Sequence, residues 1–134
     1  GASQVSLEAV LEQSNIISLH VPLTKQTHQM VNVNFLKKMK PTGFLINTSR
    51  GSVVDQEALK NALMQRNISG AALDVFAEEP PIDEDFLSLP NLMVTPHIGG
   101  NSIEGVEAMG RAAIQHLVLF FKNSLKDKRQ DEAR

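Results

Sequence analysis

Four short apolar runs, each ended by a proline or a polar turn and separated by segments of helical spacing, constrain this chain more than any other feature. They are Asn15–Val21, Phe44–Ile46, Gly70–Phe76 and Asn91–Thr95. Such runs are nearly continuous rather than alternating, the pattern of strands buried on both faces, which pair in parallel through helical crossovers. Before the first, Ser6 stands as an N-cap ahead of Leu7, Val10 and Leu11. Asn34 precedes a turn with Phe35, Leu36 and Met39 that Pro41 and Gly43 break, and Asp55 precedes a stripe of Leu59, Ala62, Leu63 and Arg66. A proline-bearing loop follows Phe76. Asn101 and Glu104 form a capping box for a long helix with Ile103, Val106, Met109, Ala113, Leu117 and Phe120 at helical spacing. The alternation predicts an α/β fold: a doubly wound parallel sheet covered by helices.

Composition narrows the function classes. The chain has 134 residues, 42% hydrophobic and 21% charged, enough apolar surface for one compact domain. Its formal charge of -2 is spread along the chain, so no basic face is available for a phosphate backbone, and nucleic acid is not expected as a partner. Without Cys there is no disulfide, thiolate zinc site or cysteine nucleophile, and no metal site is expected. The longest apolar stretch, Leu117–Phe121, is too short to cross a bilayer, and the start shows no leader pattern. No membrane association is expected, and the compartment expected is the cytoplasm. Residues 1–3 read as an expression scar, 4–123 as the folded unit and 124–134 as a charged tail, frayed from Lys126 onward.

In open parallel sheets ligands sit beyond the carboxyl ends of the strands. Those ends carry His20-Val21-Pro22, Asn47-Thr48-Ser49-Arg50-Gly51, Asp74 through Glu79-Pro80, and Pro96-His97-Ile98-Gly99-Gly100. An Arg offers a bidentate fork for a carboxylate or phosphate, a His carries protons near neutral pH, and a Glu beside it favours the imidazolium. Together they make an acid–base site for a small anion. Taken singly, Arg50 could pair with Asp55, Asp74 and Glu79 could be solvated or cap a turn, and His97 could be an ordinary strand-end histidine. His28 reads as surface, and His116 as a structural residue inside a helix.

Several ordered motifs share one resemblance: His20-Val21-Pro22-Leu23-Thr24 with Thr27, Met39-Lys40-Pro41, Leu45 through Gly51, Val54-Asp55, Gly70 through Phe76, Glu79-Pro80 and Thr95 through Gly100. Over about residues 7 to 122 they closely resemble the D-isomer-specific 2-hydroxyacid dehydrogenases, in the second half of that family's Rossmann-type nucleotide-binding domain. The resemblance implies hydride transfer between a nicotinamide cofactor, NAD with NADP left open, and a D-2-hydroxy or 2-keto acid. It implies catalytic roles for Arg50, which grips the substrate; His97, the proton carrier; and Glu79, its partner. It implies cofactor contacts by His20, Val21, Pro22, Thr48, Ser49, Arg50, Asp74, His97, Gly99 and Gly100. Glycines 51, 99 and 100 are expected to let the backbone approach the cofactor.

No G-x-G-x-x-G phosphate loop occurs in the chain. It is therefore expected to be a fragment of a larger dehydrogenase, inactive alone, whose parent is a homo-oligomer. The formate-specific branch typically carries Gln where Glu79 stands, which argues against formate. Two other readings compete: a relative that senses nucleotide and recruits protein partners as a corepressor, and an inactive half-domain.

Overall fold

The four apolar runs become the strands of one parallel sheet in the computed structural model, which describes residues 1–131, with side chains through residue 122. The strands are β1 (Ile16–Leu19), β2 (Phe44–Asn47), β3 (Gly70–Leu73) and β4 (Leu92–Val94), in the spatial order β1-β2-β3-β4. Helices α1 (Leu7–Gln13), α2 (Val33–Lys38), α3 (Gln56–Met64), α4 (Glu84–Leu87) and α5 (Ile103–Asp131) alternate with them. The chain divides into two compact units, Gly1–Ile98 and a second that begins at Gly99. The first contains the whole sheet.

Register follows burial. Ile17 pairs with Leu45 and Leu45 with Ala71, while Leu19 pairs with Asn47 and Asn47 with Leu73, and all six are buried. A one-residue slip would turn this row to solvent. Leu11, Phe35, Leu36, Leu59, Ala62 and Leu63 from α1, α2 and α3 join it in one core. The opposite face stays open, with Ile16, Phe44 and Met93 exposed.

This corrects the expectation of strands buried on both faces. Crossovers that always step to the next strand in one direction, each right-handed, place their helices on the same face. The α/β, Rossmann-type class stands; within residues 1–98 the winding is one-sided.

Side-chain caps set the helix starts, and three details differ from the sequence reading. Ser6 accepts from the Ala9 amide and Asp55 from Ala58, as expected. The cap of α2 is Asn32, whose Oδ1 accepts from Asn34 and Phe35, so Asn34 lies inside the first turn. At α5, Ser102 rather than Asn101 accepts from the Gly105 amide, at 3.0 Å. Arg66 lies past the end of α3 in a left-handed conformation and is exposed, off the apolar stripe.

The proline-bearing loop holds the short helix α4, capped by Asp83, which also pairs with Lys60 at 2.8 Å and seats the fully buried Phe86. In the second unit α5 continues to Asp131, through the part of the charged segment expected to fray. Residues 132–134 lie outside the described residues. The described apolar side chains of α5 are exposed, as is His116. Among the described residues no helix is long and apolar enough to cross a membrane.

Candidate active site

Parallel pairing brings the carboxyl ends of all four strands to one edge of the sheet. His20, Val21 and Pro22 follow β1, Thr48 to Arg50 follow β2, Asp74 follows β3, and Thr95 to His97 follow β4.

Asn47, fully buried at the last position of β2, shapes the arginine loop. Its Oδ1 accepts from the Ser49 amide at 3.0 Å and the Ser49 hydroxyl at 2.8 Å, and its Nδ2 donates to the Arg50 carbonyl at 3.0 Å. An Asn that closes such a turn with its own side chain is a readable sequence signal, yet its role escaped the sequence reading. Arg50 is exposed, and its guanidinium donates to the Ser49 carbonyl at 2.7 Å. It forms no ion pair with Asp55, whose carboxylate is the cap of α3.

Gly51 has a different reason from the one expected. A Cβ there would stand 1.8 Å from the Phe76 carbonyl carbon and 2.1 Å from its oxygen. What approaches Gly51 is the chain's own backbone after β3.

Glu79 and His97 meet directly, as expected. Glu79 Oε1 accepts from the Phe76 amide at 3.0 Å, and Oε2 lies 2.9 Å from His97 Nδ1. The histidine hydrogen bond, then the Phe76 amide, hold the Glu79 carboxyl below its ordinary range, so it is ionised at neutral pH. An ionised carboxylate can only accept, so Nδ1 carries the shared proton and Nε2 is left to take one up or give one away. Glu79 thus caps a turn and orients the histidine at once.

His97 itself adopts φ 54, the left-handed region that side-chain-bearing residues avoid. Holding such a residue there costs on the order of 1–3 kcal/mol and marks a position the surroundings enforce. The pair lines an open, largely apolar cleft of about 510 Å³ walled by Phe76, Pro80, Pro81, Leu87 and Pro96.

Asp74 is buried, and its Oδ1 accepts from the Thr95 hydroxyl at 2.5 Å and the Ile98 amide at 2.9 Å. A shallow recess beside it is lined by Ile46, Thr48, Ala72 and Met93. Thr48 brings a hydroxyl and Asp74 a carboxylate to its lining. His20 is exposed, with Nε2 2.9 Å from the Ser18 hydroxyl, and Val21 is half-buried. The loop after Pro22 is tied by Thr27, which donates to the Pro22 carbonyl at 2.6 Å. His28 is exposed, as expected. Gly99 and Gly100 belong to the second unit, and a Cβ at Gly100 would meet nothing within 4 Å. Among the described residues no cluster of His, Asp and Glu could hold a metal ion.

Residues 1–99 match the family model described as the D-isomer specific 2-hydroxyacid dehydrogenase, NAD binding domain. The chain belongs to this family. It is 47% identical over 125 residues to a glyoxylate reductase of Thermococcus litoralis, a match covering 93% of this chain and 38% of that protein. Among solved structures it is similar to the D-lactate dehydrogenase of Aquifex aeolicus complexed with NAD and lactic acid. There the TM-score is 0.80 and the identity 35%, covering 91% of this chain and 41% of that one. It is also similar to an NADPH-dependent glyoxylate/hydroxypyruvate reductase of Sinorhizobium meliloti in complex with NADP and malonate, with TM-score 0.82 and 38% identity over 87% of this chain and 36% of that one. The chain thus spans about two fifths of the length of these relatives.

Proposed function

We propose that this chain is the C-terminal half of the nucleotide-binding domain of a dehydrogenase that interconverts a small 2-keto acid and its D-2-hydroxy acid. The observation that carries this reading is the Glu79–His97 pair, Oε2 to Nδ1 at 2.9 Å, at the same sheet edge as Arg50. A nicotinamide cofactor supplies the hydride when bound, and Thr48, Ser49 and Asp74 are the residues that would hold its reactive end. His20, Val21 and Pro22 would wall the adenine side.

The protein residues do the rest. Arg50 grips the substrate carboxylate with its planar fork and polarises the neighbouring keto oxygen. His97 delivers a proton from Nε2 to that oxygen during reduction and removes it during oxidation. Glu79 keeps the ring oriented and offsets the positive charge of the imidazolium.

A cytoplasmic location and homo-oligomeric assembly belong to the same proposal. The names of the relatives favour glyoxylate and hydroxypyruvate as the first substrates to examine. The test is to assay the full-length protein against a panel of 2-keto acids with NADH and with NADPH. Oxidation of either cofactor with at least one small 2-keto acid is expected; none with any member of the panel overturns the reading.

A further inference from the structure

We propose that Asp74 and Thr95 are positioning residues for His97, acting as a staple that holds its turn in the conformation where Nδ1 faces Glu79. The inference rests on the proton-carrier reading of His97 and adds a cause for its geometry.

Thr95 and Ile98 bracket the Pro96-His97 pair, and both are bound to one oxygen of a buried carboxylate: the Thr95 hydroxyl at 2.5 Å and the Ile98 amide at 2.9 Å. The Thr95 amide donates to the Leu73 carbonyl at 3.0 Å, which fixes the near end of the turn to β3. The His97 amide donates to the Thr95 carbonyl at 3.0 Å, closing a tight turn around Pro96. Four consecutive residues are thus pinned at both ends, and His97 is left at φ 54. Released from one pin, His97 can cross to the favoured side of φ and swing its imidazole away from Glu79.

Asp74 is well placed to set this position, because its own amide donates to the Asn47 carbonyl at 3.0 Å. Asn47 in turn shapes the Arg50 loop. The carboxyl ends of β2, β3 and β4 are therefore tied through one aspartate.

Thr95→Val keeps the side-chain volume and removes only the hydroxyl donor, whereas Thr95→Ser keeps the donor. In the full-length protein with saturating NADH and a 2-keto acid that the wild type reduces, kcat of Thr95→Val is expected to fall about 10- to 100-fold. Its Kd for NADH is expected to stay within about threefold, and Thr95→Ser to recover kcat to within about threefold of the wild type. Wild-type kcat in Thr95→Val overturns the staple, as does an equal loss in the valine and serine variants. If Thr95→Val does not fold, amide exchange of the wild type decides: Ile98, though exposed, is expected to exchange at least about tenfold more slowly than an unbonded amide. An unprotected Ile98 amide overturns the proposal. Loss of kcat in His97→Asn together with wild-type kcat in Thr95→Val would remove the staple and leave the proton carrier intact. Retained kcat in His97→Asn would remove the proton carrier itself.

Discussion

Gly51 and Phe76 touch through their backbones so closely that a β-carbon on Gly51 would stand 1.8 Å from the Phe76 carbonyl carbon. This contact sets the arginine loop after β2 against the segment leading from β3 to Glu79, so that two site loops share one wall. Gly51→Ala would have to move backbone on one side or the other, because no flexible side chain is present to yield. It is expected to destabilise the protein by about 3 kcal/mol or more in urea unfolding, at the upper end of overpacking costs. A variant within about 0.5 kcal/mol of the wild type would show that the loops separate easily.

Arg50 and Asp55 separate a gripping arginine from a structural one. Asp55 caps α3 by accepting from Ala58, and Arg50 makes no ion pair among the described residues. In the full-length protein, Arg50→Lys is therefore expected to raise KM for the keto acid and lower kcat together, since Lys offers a point charge and no fork. Asp55→Ala is expected to cost about 1 kcal/mol of stability through the lost cap while leaving KM unchanged. If Asp55→Ala reproduces the kinetic defect, the two side chains act as a pair.

Acid sensitivity follows from three carboxyls held below their ordinary values. Lys38 lowers Glu8, His97 and the Phe76 amide lower Glu79, and Lys60 and the Phe86 amide lower Asp83. A carboxyl whose folded pKa lies below its unfolded one stabilises the fold above the unfolded value and loses that contribution as pH falls through the folded one. Stability is thus expected to be steady above the ordinary values, 4.5 for Glu and 3.8 for Asp, and to drop as the pH falls below them. Asp83→Asn keeps the cap of α4 but ends the attraction to Lys60, and is expected to flatten this acid limb. Denaturant midpoints measured across acid pH check both statements; an unchanged limb in Asp83→Asn would show that the Lys60 pair contributes nothing.

The chain as it stands should associate with itself. β1 and β4 are the edges of its sheet, Ile16, Phe44 and Met93 are exposed on the open face, and the described apolar residues of α5 are exposed as well. Unpaired strand edges and uncovered apolar area recruit partners. Sedimentation of the isolated chain is expected to give dimers or larger species, and titration to give weak NADH binding or none, because the chain has no glycine-rich phosphate loop. A monomer that binds NADH in the micromolar range would contradict both expectations.

The sequence was legible where a residue's own chemistry decides the outcome. The apolar runs located all four strands, Ser6 and Asp55 located two caps, and the strand-end positions of Glu79 and His97, with the family resemblance, put them side by side. It was less legible where neighbours decide. The open face of the sheet depends on strand order, which no single run encodes. Asn32 and Ser102 each stand close to a second polar residue, and two candidate caps two or fewer residues apart look alike before a backbone chooses one. Helix α4 hid between prolines, although Asp83 three residues ahead of Phe86 is the spacing of a cap. The tasks of Thr95 and of Gly51 required the third dimension, because their partners Asp74 and Phe76 lie 21 and 25 residues away.

The central claim is that His97 carries the proton, and its most direct test is the kcat of His97→Asn in the full-length protein at neutral pH, with NADH binding measured alongside. Asparagine retains much of the ring's hydrogen bonding but cannot shuttle a proton. The account predicts a kcat about 10²- to 10⁴-fold below the wild type with NADH affinity preserved. A variant that binds NADH normally and turns over near the wild-type rate would contradict it.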